Sequence, residues 1–292
     1  MAYIGINNRA RKIKNVYIGV NDIARSVKRG YVGNENTIPC LWWGDRYPMM
    51  KASDTWYSGI SVDIKTITAI EIYDYYRPDT YTQVWNADVN SAGHIKCYRI
   101  DTKLIISGCG DGKIYANPDS SLMFESFQAV ESITGLEYLD TSKVTNMWLM
   151  FGTLFKLKSL DLSSFDTSNV TNMSWMFSNC ETLTSLDLSS FNTSNVELMD
   201  HMFENGGKLR TVNVSSFNTS KVTAMNSMFG TCQALISLDL TSFNTSNVTT
   251  MANMFFYCSR LTTIKVSSGW DTSNATRTGM FSYCGTKAVT YV

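Results

Sequence analysis

LKSLDLSSFDTSNVTNMSWMFSNC, from Leu157 to Cys180, and LISLDLTSFNTSNVTTMANMFFYC, from Leu235 to Cys258, are nearly the same text. Leu157, Leu183, Leu209, Leu235 and Leu261 open five such units at a fixed period of 26 residues. A period in the twenties predicts a solenoid, in which each coil packs on its neighbours and exposes a long surface. Within a unit, LxxLxL predicts a short strand, and the Asp/Asn-Thr-Ser-Asn after it predicts a turn capped by side-chain oxygens. Val170, Met173, Met176, Phe177 and Cys180 then recur at 3, 3, 1 and 3, a spacing that predicts a helical stripe. The expected fold class is an α/β solenoid of 26-residue coils, a parallel sheet on one face and short helices on the other, capped by an N-terminal β domain.

Eleven of the 15 methionines fall in that stripe. A flexible thioether fills irregular gaps, so they are expected in the core. Leu136 to Phe151 is a degenerate coil in the same register, and Thr286 to Val292 is expected to close the stack as a strand. The last coil departs from the pattern, with Gly269 in place of phenylalanine and Arg277 in place of the first methionine.

The chain has 292 residues, 44% of them hydrophobic, and a formal net charge of zero. That zero hides an asymmetry: residues 1–33 carry Arg9, Arg11, Lys12, Lys14, Arg25, Lys28 and Arg29 against Asp22 alone, a net of +6. A basic arm on an acidic body suggests electrostatic docking. The arm is itself a repeat of period 14, INNRARKIKNVYIG from Ile6 to Gly19 and VNDIARSVKRGYVG from Val20 to Gly33. Each copy reads as a small strand–turn–strand unit. Neutral overall charge argues against nucleic acid as the main partner. Residues 34–60, with Trp42, Trp43 and Trp56, read as a linker carrying an aromatic anchor. From Ser61 to Ile114 short strands are expected, at Ile67–Tyr75, His94–Ile100 and Lys103–Ser107. The division is 1–38 basic segment, 39–60 aromatic linker, 61–122 β cap and 123–292 solenoid.

Cys180, Cys232, Cys258 and Cys284 share one phase of the repeat, with Gly206 replacing the thiol between them. Such a row reads as small buried apolar groups. Neither a CxxC pair nor close Cys/His spacing occurs, so no zinc and no cofactor are expected. No GxSxG, P-loop, HExxH or dinucleotide glycine pattern is present, and an enzyme is not expected. Gly108-Cys-Gly-Asp-Gly112 lacks the Lys-Ser/Thr of a phosphate loop and reads as a turn. The N-terminus lacks the apolar centre of a secretory signal. No run of 18 apolar residues crosses a membrane, so no membrane insertion is expected.

Residues 62–285 resemble the BspA-type leucine-rich-repeat family, through the motif FxTSNVTxMxxMFxxC at Phe165 and Phe243 and the lead-in GKIYANPDSSLMF from Gly112 to Phe124. The resemblance implies adhesion or ligand binding and brings no catalytic residues. The basic 14-residue repeats resemble short N-terminal units of phage virion proteins from Firmicutes hosts. That second resemblance implies a virion protein assembled in the host cytoplasm. Residues 1–60 would hold other virion proteins, with Arg9, Arg11, Lys12, Lys14, Arg25, Lys28 and Arg29 as the anchoring charges.

Three functions are open: a non-enzymatic tail, baseplate or capsid-surface protein whose repeats bind a host protein or glycan, a purely structural decoration protein, or a bacterial cell-surface adhesin. A homo-oligomer is expected of a virion component. Asp161, Asp187, Asn213, Asp239 and Lys265 share an outward phase; Asp161 and Asp187 either hold a cation between them or stand solvated. The two positions after the first methionine vary from coil to coil and are expected to face outward. They place Trp148, Trp175 and His201 as partner-binding candidates, the tryptophans either recognising a ligand or covering the junction with the cap. The recurring Thr-Ser pairs and Asn sequons read as hydrogen-bonding grammar between coils.

Overall fold

The computed structural model describes residues 50–51, 56–57, 63–88, 94–110 and 112–292, with the backbone of five short strands within residues 2–32. The alternation of Ile70 and Ile72 with Glu71 and Tyr73 buries one side of the strand Ala69–Tyr73. It lies in a five-stranded mixed sheet, in the order Ser132–Thr134, Ala69–Tyr73, Lys103–Ser107, Lys96–Ile100, Gln83–Asn86. The first two pairings are parallel and the last two antiparallel. Gln83–Asn86 was not anticipated, because Val84 and Trp85 stand alone in a polar run.

Trp56 is fully buried, stacks on Phe127 at 6.0 Å, and donates its indole N–H to the Met123 carbonyl. It also meets Phe124 edge-on at 6.2 Å, and Phe124 stacks on Phe151 at 5.3 Å at the head of a phenylalanine column. The glycine-rich loop is a turn: Gly110 and Gly112 have φ of 88° and 104°, and their N–H groups are taken by the Asp74 carbonyl and carboxylate.

The α/β solenoid with short helices is corrected. The protein is mostly β, in several small sheets, and the described residues contain no α-helix, only single 3-10 turns such as Ile64–Thr66 and Leu136–Tyr138. In the run from Met173 to Cys180, Trp175 and Asn179 have φ of 61° and 60°. The same two positions are left-handed in the following coils, at His201 and Asn205, Ser227 and Thr231, and Asn253 and Tyr257. A left-handed residue every fourth position breaks any i→i−4 series. Instead, alternate N–H groups turn back three residues, Met176 to Met173 and Ser178 to Trp175. The others cross to the next coil, Trp175 to Asp200 and Phe177 to Met202. Overlapping turns of this kind bury the same positions as a helix would, so periodicity does not separate the two.

The expected parallel sheet on one face is present only as separate pieces. Ser185–Asp187 pairs with Thr211–Asn213, and Ser237–Leu240 pairs with Thr263–Val266, which pairs with Thr290–Tyr291. Ile114–Tyr115 and Leu139–Asp140 form a separate pair, and 157–162 forms no ladder. There the register slips, because Lys158 N–H reaches the Glu131 carbonyl 27 residues back rather than 26.

Between coils the side chains lie in columns. Phe151, Phe177, Phe203, Phe229 and Phe255 stack at centroid distances of 5.2 to 5.9 Å. The stripe methionines from Met147 to Met254 are fully buried, as expected of core. Thr167, Thr193 and Thr219 are buried, and each hydroxyl donates to the carbonyl and accepts from the N–H of one residue in the next coil. That matches the reading of the Thr-Ser runs as intercoil grammar. In the last coil, Trp270 is buried where phenylalanine stands elsewhere, and Gly269 is an inserted residue whose Cβ would meet the Phe243 carbonyl at 2.9 Å.

The basic segment contains two antiparallel hairpins 14 residues apart, with Ile6 opposite Arg9 and Val20 opposite Ile23. Arg9, Arg11 and Lys12 lie in the strand Arg9–Ile13 and Arg25 in Ile23–Ser26. Lys14, Lys28 and Arg29 fall outside the described residues, as do Trp42, Trp43 and most of the linker.

Candidate recognition site

The coil dictates most of its own residues: the columns of Leu, Phe, Met, Val and Thr face neighbours above and below. Residues free to differ between coils are those from which a site can be built. At the first left-handed position the successive occupants are Leu149, Trp175, His201, Ser227 and Asn253. The structure brings two candidates together here. The indole of Trp175 and the imidazole of His201 stack at 3.9 Å and 14° across adjacent coils, and both are half-buried. Trp148 belongs to the preceding column, with Ser174 and Asp200, and is also half-buried.

Two polar contacts brace this step. His201 Nδ1 and Glu204 Oε2 are 3.0 Å apart within one coil. The buried Ser174 hydroxyl donates to Asp200 Oδ1 at 2.6 Å across coils. Asp200 lies in the variable pair with His201, whereas Glu204, three residues further on, stands outside the columns the sequence reading compares. The result is an aromatic ledge with carboxylates behind it. It can offer a flat ring face and hydrogen-bond acceptors to a ligand.

Asp161, Asp187 and Asp239 lie in the strand run rather than at the ledge, and all are exposed. Each closes a turn on itself. Asp161 and Asp187 accept the backbone N–H of Ser163 and Ser189, and those bonds hold both carboxyls below the usual range. For Asp239 the Thr241 hydroxyl is the larger cause and its N–H the second. Asp187 also accepts from the Asn213 amide at 2.9 Å. Among the described residues no group of three or more His, Cys, Asp or Glu is placed to hold a metal ion.

Of the thiol row, Cys180, Cys232 and Cys258 are buried and Cys284, in the last coil, is half-buried. Burial pushes Cys180 and Cys258 up to about 12, and raises Cys232 and Cys97 well above the ordinary thiol range. Cys180, Cys232 and Cys258 each face a carbonyl one coil back, as Cys180 faces Phe151 at 3.2 Å. Beside Gly206, where the thiol is missing, a small gap is lined by Phe177, Cys180, Phe203 and Leu209.

On the cap, sequence reasoning overlooked a cluster of tyrosines. Tyr73 and Tyr76 stack at 5.0 Å and Tyr81 lies 5.5 Å from Tyr98, with Tyr75 and Tyr81 exposed. The signal was the run Tyr73-Asp-Tyr-Tyr-Arg-Pro-Asp-Thr-Tyr81.

Residues 119–235 and 207–289 match the family described as Mycoplasma protein of unknown function, DUF285. No curated protein and no solved structure matches the chain.

Proposed function

The chain belongs to the DUF285 family, a BspA-like repeat family, and on that premise we propose that it is a non-enzymatic binding protein whose repeats engage a host surface protein or glycan. The observation that carries this reading is the Trp175–His201 ledge, built from positions that intercoil packing leaves free to vary. Its setting on a phage tail, baseplate or capsid surface, as a homo-oligomer assembled in the host cytoplasm, is supported by the resemblance of the basic 14-residue repeats. Under that setting residues 1–60 attach to other virion proteins. Asn253 occupies the same left-handed column as Trp175, with φ of 58°, so Trp175→Asn removes the ring without opposing the backbone. Adsorption of the full chain to intact bacterial cells should fall at least tenfold in that variant while its melting temperature stays within a few degrees. Unchanged adsorption would sink the ledge as the contact point.

A further inference from the structure

The cations of the stack follow a rule of their own. Each buried leucine that opens a coil is flanked by two positions that lie at the surface. At Leu157, Leu209 and Leu261 these positions are Lys156/Lys158, Lys208/Arg210 and Arg260/Thr262. At Leu183 and Leu235 they are Thr182/Thr184 and Ala234/Ile236. Arg210 is in register with Thr184, its N–H donating to that carbonyl at 2.8 Å, and Thr262 with Ile236 at 2.9 Å, while Lys158 lies in the coil whose register slips by one residue. Coil by coil, cationic rungs therefore alternate with uncharged ones, two coils or about 10 Å apart, in keeping with the 5.2 to 5.9 Å steps of the phenylalanine column. Lys158 is paired with Glu131 at 2.5 Å. Lys156, Lys208, Arg210 and Arg260 have no ion pair or side-chain hydrogen bond among the described residues. Glu131 and Glu181 adjoin these positions and Asp161, Asp187 and Asp239 stand exposed three residues further along the coils, whereas the flanking positions themselves carry five cations and no carboxylate.

We propose that this stripe binds an acidic polysaccharide laid along the stack axis, its carboxylates meeting one cationic rung after another. The inference rests on the reading that the repeats bind a surface, and adds a second contact apart from the Trp175 ledge, with the chemical class of its ligand. Rungs about 10 Å apart cannot converge on one small anion, whereas a polymer engages them in turn and gains from each added contact. Duplex DNA presents about one charge per 1.7 Å of its axis, far denser than these rungs. A glycan charged once per disaccharide matches them better, and the exposed Thr184 lies between the charges to meet its sugars, while the Thr182 and Thr262 hydroxyls donate to backbone carbonyls and are left as acceptors.

The test uses the full chain and hyaluronan oligosaccharides of increasing length at fixed salt. Affinity should rise until the oligomer covers about 20 Å, the distance from first to third rung, and then level off. The exposed-residue variant K156S/K208S/R210S/R260S should lose at least tenfold in affinity with an unchanged melting curve, and Trp175→Asn should lose nothing. Undiminished binding by the quadruple variant overturns the proposal, as does tighter binding of duplex DNA than of hyaluronan at the same salt. If the parent adsorbs to cells through Trp175 but ignores hyaluronan, the stripe is wrong while the surface-binding reading stands.

Discussion

The cap sheet and the repeat stack satisfy their backbones by different means. In the cap, Lys96–Ile100 and Lys103–Ser107 pair residue for residue, so N–H and C=O groups find each other along a ladder. In the stack, strands run to four residues at most, and much of each coil is turn. Its carbonyls and N–H groups are met by Thr hydroxyls, by Asx turns such as Asp166 to Ser168, and by amides such as Asn195 to the Ser168 carbonyl. The difference teaches that polar side chains in the stack are as structural as its phenylalanines. A buried backbone group that loses its partner costs about 1–3 kcal/mol.

The comparison can be broken first through the thiols. Cys97 lies in the cap core and Cys180, Cys232 and Cys258 in the stack, all buried, while Cys109 is half-exposed. At pH 8 the buried thiols should label at least a thousandfold more slowly than Cys109, because access requires opening against about 5 kcal/mol or more. If Cys97 and the stack thiols label at one rate, cap and stack open as a unit; if Cys97 labels faster, the ladder is the weaker region. Their raised folded-state pKa values also fix a sign. Above about pH 8.5, the reference for an exposed thiol, the unfolded chain loses these protons while the folded chain keeps them. Stability should therefore fall as pH climbs from there toward 12. Urea midpoints that rise over that range would contradict this.

Phe203→Ala should cost about 3–5 kcal/mol in urea unfolding, since it empties one ring of the column between neighbours at 5.8 and 5.2 Å. Thr193→Val keeps shape but strands the N–H and carbonyl of Asn218, for about 2–3 kcal/mol. Its counterpart in the cap, Thr68→Val, removes an exposed hydroxyl contact and should change stability by less than about 0.5 kcal/mol. Equal losses at the two threonines would erase the contrast. Smallest is a gain: Thr231 is β-branched at φ 60°, in the column that holds Asn179 and Asn205. The Asn205 amide already donates to Asn179 Oδ1 at 2.9 Å. Thr231→Asn removes left-handed strain and extends that amide ladder, raising stability by about 1 kcal/mol.

Much of this was legible in the residues. The period of 26 located the columns, the methionines and thiols were assigned to the interior, and Thr290–Tyr291 closes the stack inside the expected strand. Trp175 and His201 were picked out because their columns vary. The spacing does not distinguish helices from successive three-residue turns, because both bury the same positions; the positive φ of Trp175 and Asn179 separates them. Gly269 looked like a lost phenylalanine, yet the backbone accommodates one extra residue and seats Trp270.

By itself the sequence determined which side chains point inward and how often, because burial of apolar groups must repeat wherever the chain repeats. Only the tertiary structure decided the backbone path between those points, since N–H groups choose between their own turn and the neighbouring coil. It also decided which exposed residues meet: Trp175 and His201, 26 positions apart in the chain, touch because coils stack in register.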